Sequence, residues 1–182
     1  MKKGKIIYLN GISGAGKTTL SKTLQERLNE PYYWVPSDMF CSAMAPKRYW
    51  VPADILSLLH RTVKHYSDIG VNSIVDIVHT QPDIELLNEG VRLLHDYPVL
   101  FVNVTCPPEE LRRRKIERGD PEVDKWLPYQ LENFVPQEPY DITVDTHIDA
   151  VENCADNIID LVNYPEKFKA FEELWLAKGG IT

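Results

Sequence analysis

The sequence predicts an α/β protein with three α/β/α layers and a five-stranded, mostly parallel sheet. Two observations point to it. Apolar runs and amphipathic stretches alternate almost from end to end, as in βα units. The strongest runs are continuously apolar, as strands buried on both faces are. With 182 residues the chain is expected to form a single domain over 1–182, long enough to bury a core without disulfide or metal staples.

Taken in order, residues 5–10 read as the first buried strand, and 17–29 as a helix with Leu20, Leu24 and Leu28 on one face at spacing four. Residues 32–35 are a short β-prone run. The segment 52–69 is helical, with Ile55, Leu58, Leu59 and Val63 as its stripe. A second apolar strand covers 73–78, followed by a helix over 83–95 that Pro98 cannot continue. Residues 98–105 form a third strong strand, 109–118 a basic helix, 142–144 a short last strand and 150–162 a helix. A terminal helix over 166–177 would pack Phe168, Phe171, Leu174 and Trp175 onto the body. Between Gly119 and Pro139 stand four of the thirteen prolines, so this stretch is expected to be irregular.

Charge and cysteines remove several classes. Asp and Glu number 27 against 20 Lys and Arg, a formal charge of −7, which argues against coating nucleic acid. Cys41, Cys106 and Cys154 are far apart and lie in no metal-type spacing, and the five histidines are scattered. The apolar run behind the basic first residues is too short for a signal sequence, and none approaches a membrane span. A cytoplasmic protein with no membrane partner is expected; a homo-oligomer is left open.

Gly11-Ile12-Ser13-Gly14-Ala15-Gly16-Lys17-Thr18 fits GxxxxGK(S/T) and lies between a strand and a helix, the context that motif requires. Its glycines let backbone N–H groups turn inward around phosphate oxygens, the helix N-terminus adds positive potential, and Lys17 neutralises β- and γ-phosphates. Thr18 would offer a hydroxyl to Mg²⁺, and Thr19 completes the segment expected to bind ATP. No Asn-Lys-x-Asp segment for guanine is present, and Val123-Asp124-Lys125-Trp126 lacks the Asn. Asp76 closes a strand where a metal-side carboxylate is expected; a plain turn cap would look the same. Asp38 follows the second strand at the edge where open α/β sheets bind ligands, so it can take a proton from a substrate hydroxyl, or simply cap a helix. Arg114 and Arg118 share a helix face before a glycine, which suits a lid over a triphosphate; Arg112 and Arg113 point elsewhere, as a solvated face with Glu110 and Glu117 would. Met39, Phe40, Tyr49 and Trp50 could wall an acceptor pocket and His79 could bond a substrate group. Core packing is the competing explanation for each.

These segments, together with Leu9-Asn10-Gly11, Ser37-Asp38, Val75-Asp76, Arg114-x-x-x-Arg118-Gly119-Asp120 and Tyr140-Asp141-x-x-Val144-Asp145-Thr146, resemble the chloramphenicol phosphotransferase-like proteins, a branch of the kinases with the nucleoside monophosphate kinase core. The resemblance runs from about residue 6 to 159. It implies a P-loop kinase with a lid over about 109–139, transferring phosphate from ATP with Mg²⁺ to a small-molecule hydroxyl. It further implies that Asp38 is the general base, that Lys17 and Thr18 hold phosphate and metal with Asp76 beside them, that Arg114 and Arg118 are lid arginines, and that the turn at Thr146 lies near adenine. Ile77 stands where the family has a second acidic residue, and residues 45–52 are short and aromatic where it has a long insertion. A nucleoside or nucleotide kinase, or a nucleotide-binding regulatory module, are the alternatives.

Overall fold

A computed structural model describes residues 2–43, 52–81, 84–121, 123–134 and 139–180. Five strands, β1 (Ile6–Asn10), β2 (Tyr32–Pro36), β3 (Asn72–Ile77), β4 (Val99–Thr105) and β5 (Ile142–Asp145), form one sheet in the order β2-β3-β1-β4-β5. Every pairing is parallel, so the expected mostly parallel sheet is wholly so among the described residues. The helices are α1 (Lys17–Arg27), α2 (Ser37–Ala43), α3 (Pro52–Asp68), α4 (Ile84–Leu94), α5 (Pro108–Glu117), α6 (Val123–Asn133), α7 (Val151–Val162) and α8 (Ala170–Ala177).

Strand parity divides the core into two layers. Ile7, Leu9, Ile74, Leu100 and Val102 face α1 and α7, meeting Leu20, Leu24, Cys154 and Ile158. Ile6, Tyr8, Val75, Val99 and Phe101 face the other way, meeting Leu59 and Val63 of α3, Leu87 and Val91 of α4, and Phe171 and Leu174 of α8. That parity also sets the site. Asp76 shares the face of Ile74 and so points at the start of α1, whereas Asn10 shares the face of Tyr8.

Three expectations need correction. The stretch after Gly119 contains a helix, α6, because Val123 and Leu127 at spacing four bury into the layer holding Leu111; Pro128 inside it misled the reading by composition. Leu58, assigned to the α3 stripe, is exposed, since at 3.6 residues per turn it points away from Ile55, Leu59 and Val63. The terminal helix is split into a 3-10 turn (Pro165–Lys167) and α8, and Phe168 packs with the α7 layer rather than with Phe171. No helix among the described residues is long and apolar enough to cross a membrane.

Candidate active site

The loop from Gly11 to Thr18 turns between the carboxyl end of the central strand β1 and α1. Gly14 (φ 96°) and Gly16 (φ 89°) occupy left-handed conformations that a side chain would strain. Gly16 is the N-cap of α1. No side chain caps that end and no carboxylate stands in its first turn, so its N–H groups are available to an anion. The arrangement fits a polyphosphate.

Lys17 is buried, and its ammonium donates to the carbonyl oxygens of Gly11 (2.7 Å) and Ile12 (3.3 Å). Its Nζ lies 3.7 Å from Asp76 Oδ1. Burial pushes the Lys17 pKa down, and the charges of Asp76 and then Asp38 push it back up. Thr18 Oγ1 donates to Asp76 Oδ2 at 3.0 Å. A hydroxyl and a carboxylate side by side at the rim of a phosphate cradle are hard oxygen donors, a set that fits Mg²⁺ completed by phosphate oxygens.

Asp38 lies in the first turn of α2. Pro36 of β2 is in register with Asp76 of β3, so both acids emerge at neighbouring strand ends. Both line one cavity of about 560 Å³ with Lys17, Thr18 and Arg118. Asp38 is exposed to that cavity, and no hydrogen bond or ion pair with another described residue engages it.

The two arginines expected to serve a lid stand in different settings. Arg114 is tied down: Nη1 and Nη2 donate to Thr146 Oγ1 (2.9 Å) and Thr146 O (2.8 Å), and Nε donates to Glu110 (2.7 Å). It borders a second cavity of about 450 Å³ with Gly16, Thr19 and Thr146, on the side of the loop away from Asp38. Arg118, the C-cap of α5, borders both cavities. Arg112 pairs with Asp124, and Arg113 with Glu110 and Glu117, a solvated face as one of the sequence readings had it. Hydrogen bonds from Arg113 and Arg114 hold Glu110 down to about 2.

Several expectations about the acceptor side do not survive. His79 is fully buried and shares the Tyr8 hydroxyl (2.9 Å) with His60, so it is a core group. Met39 and Phe40 do not line the larger cavity; Cys41, Ile55, Leu56 and Val78 do. Tyr49 and Trp50 lie outside the described residues. Sequence reading also missed Lys115 and Gln130. Lys115 is buried, ion-paired to Asp120 (2.9 Å) and 3.4 Å from Ser13 Oγ; its spacing of four from buried Leu111 was the available signal. Gln130 accepts the Ser13 N–H at 3.1 Å.

Similarity to known proteins extends over most of the chain. A family model described as "Chloramphenicol phosphotransferase-like protein" matches residues 4–163. An adenylyl-sulfate kinase of Clostridium acetobutylicum is 27% identical, covering 87% of this chain and 83% of its own length. A guanylate kinase of the same organism is 29% identical over 88% of this chain and 86% of its own. The fold is shared with the APS kinase of Mycobacterium tuberculosis, whose structure holds AMPPNP and APS, with a TM-score of 0.70, 16% identity and coverage of 90% and 99% of the two chains.

Proposed function

Since the chain belongs to the chloramphenicol phosphotransferase-like family of kinase-type phosphotransferases, we propose that it transfers the γ-phosphate of ATP to a hydroxyl group of a small molecule with an apolar body. The observation that carries this is Asp38, a carboxylate exposed on the same cavity as the phosphate loop and Arg118, with no hydrogen bond to another described residue. ATP, when bound, would supply the phosphoryl group, and Thr18 and Asp76 would hold Mg²⁺, which would offset charge on the phosphate oxygens.

Asp38 accepts the proton of the acceptor hydroxyl as that oxygen attacks. Lys17 and Arg118, which line the same cavity, hold the charge of the transferring group. Arg114, fixed by Thr146 and Glu110, flanks the base of the nucleotide in the second cavity. Pro36, Cys41, Ile55, Leu56 and Val78 give the acceptor an apolar wall. A nucleotide acceptor would need cations there to meet a second phosphate. Among the described residues, Arg61 and Lys64 of α3 are the candidates between Asp38 and Asp76, and both are occupied, Arg61 with Glu89 and Lys64 with Asp68. Use of ATP fits a cytoplasmic location.

The test is transfer from γ-labelled ATP to a panel of hydroxylated antibiotics, nucleosides and sugars. Asp38→Asn is expected to bind nucleotide as before and to lose transfer by about 10²–10⁴-fold. Retention of transfer within tenfold would remove Asp38 as the base. Acceptor-independent hydrolysis alone would favour a regulatory nucleotide-binding module.

A further inference from the structure

Gln130 lies on the lid helix α6 at a place where the helix pattern calls for an apolar residue. Val123, Leu127 and Gln130 follow one another at spacings of four and three and so share a face. The first two are buried in the layer that contains Leu111, with Ile12 of the phosphate loop packed against it. The third comes out over the loop. There its Oε1 accepts the Ser13 N–H at 3.1 Å.

That bond fixes the amide's orientation. Ser13 N can only donate, so the oxygen faces the loop and the NH2 group is left to turn elsewhere. No other described residue bonds it. Gln130 borders the cavity that contains Lys17, Asp38 and Arg118, and it is absent from the lining of the second cavity beside Arg114 and Thr146. Its free donor therefore belongs to the phosphoryl-transfer end of the site.

The position is held from a second direction. The Lys115 ammonium, 3.4 Å from Ser13 Oγ, is ion-paired with Asp120 at 2.9 Å. The N–H of Asp120 closes the end of α5 on the Lys115 carbonyl (3.1 Å), and its own carbonyl accepts from Val123, where α6 starts. The corner between α5 and α6 is thus strapped to Ser13 by both helices, which sets Gln130 in advance of any ligand.

We propose that Gln130 is a further catalytic residue, donating its side-chain N–H to an oxygen of the transferring γ-phosphoryl group. The proposal rests on the kinase function above. It adds a donor to the third phosphate, where Lys17 and Arg118 also act, and none to the first two, which the loop amides hold.

The experiment compares ADP with AMPPNP by calorimetry on the full chain and on Gln130→Ala and Gln130→Glu. Gln130→Ala is expected to bind ADP within about twofold of the unaltered protein and AMPPNP about tenfold more weakly, the worth of a hydrogen bond to a charged group; in Gln130→Glu the added carboxylate also repels ADP, and the loss for AMPPNP should remain the larger. Gln130→Glu keeps an acceptor for Ser13 but loses the donor, so it should be at least as weak for AMPPNP as Gln130→Ala. Recovery of AMPPNP binding by glutamate would mean that Gln130 only holds the loop, and equal weakening of both nucleotides would mean the same; either result overturns the proposal. Failure of the unaltered protein to bind either nucleotide would overturn the kinase function itself.

Discussion

Thr18 Oγ1 donates a 3.0 Å hydrogen bond to Asp76 Oδ2, while the other oxygen of that carboxylate lies 3.7 Å from Lys17 Nζ. One acid therefore faces both the lysine proposed to bind phosphate and the hydroxyl proposed to lie beside the metal. Asp76→Asn keeps an acceptor for Thr18 and removes the charge. The Mg²⁺-dependent gain in AMPPNP affinity is expected to fall at least about tenfold. Affinity in excess chelator should hold or rise, because a bare carboxylate beside the cradle repels phosphate. An unchanged Mg²⁺ gain in calorimetry would remove Asp76 from the metal site.

Thr146 joins α5 to the loop: its hydroxyl accepts from Arg114 at 2.9 Å and donates to the Ala15 carbonyl at 2.8 Å. Thr146→Val breaks both bonds and leaves Arg114 its bonds to Glu110 and to the backbone of residue 146. A loss of about 1–2 kcal/mol in urea denaturation is expected. Nucleotide binding should weaken several-fold, equally for ADP and AMPPNP, since this contact lies at the end of the loop away from Asp38. A deficit confined to AMPPNP would contradict that placement.

The loop, Asp38, Asp76 and Arg118 could be read in the sequence because each stands at a strand end or helix end, where short-range pattern determines direction. Gln130 could not. It reaches the site only through the docking of α6, and α6 was hidden by Pro128 and the prolines around it, whose composition suggests irregular chain. The roles of Arg114 and Arg118 separate for a similar reason. They share a helix face by spacing, but which one is captured depends on Thr146, some thirty residues away and positioned by β5. His79 shows the converse: a histidine past a strand end suits a ligand contact by pattern, yet the sheet turns Tyr8 toward it and closes it into the core.

Gly90 of α4 lets that helix approach α3 closely. A Cβ there would stand 2.7 Å from the Cε1 and Nε2 atoms of His60, whose Nε2 is bonded to Tyr8 at 2.8 Å. The ring cannot retreat without leaving that bond. Gly90→Ala is therefore expected to destabilise by about 1–3 kcal/mol, although alanine is the better helix former by about 1 kcal/mol. Denaturation of Gly90→Ala combined with His60→Ala should recover part of the loss. Simple additivity of the two variants would locate the clash elsewhere.

The cluster of Tyr8, His60 and His79 makes stability depend on pH well above the carboxylate range. The Tyr8 hydroxyl has one proton, so it donates to one imidazole and accepts from the other, and the Nδ1 atoms of both rings are buried without a partner among the described residues. A charged imidazolium would have an N–H with no acceptor. Burial accordingly lowers His60 from 6.5 to about 4 and His79 to about 3, the latter also through His60. Below 6.5 the unfolded chain takes up protons that the folded one refuses. Stability is thus full above that pH and falls as the pH drops toward 4 and 3, by up to about 1.4 kcal/mol per pH unit for each histidine. Carboxylates held low, such as Glu110 at about 2, add their loss only below their ordinary value of 4.5. Urea denaturation between pH 7.5 and 5 therefore isolates the histidines. A decline starting near 6.5 is expected, and it should be shallower in His60→Gln. A flat profile down to pH 5 would mean that both rings accept a proton in the folded state, and the buried cluster would not have the polarity assigned to it.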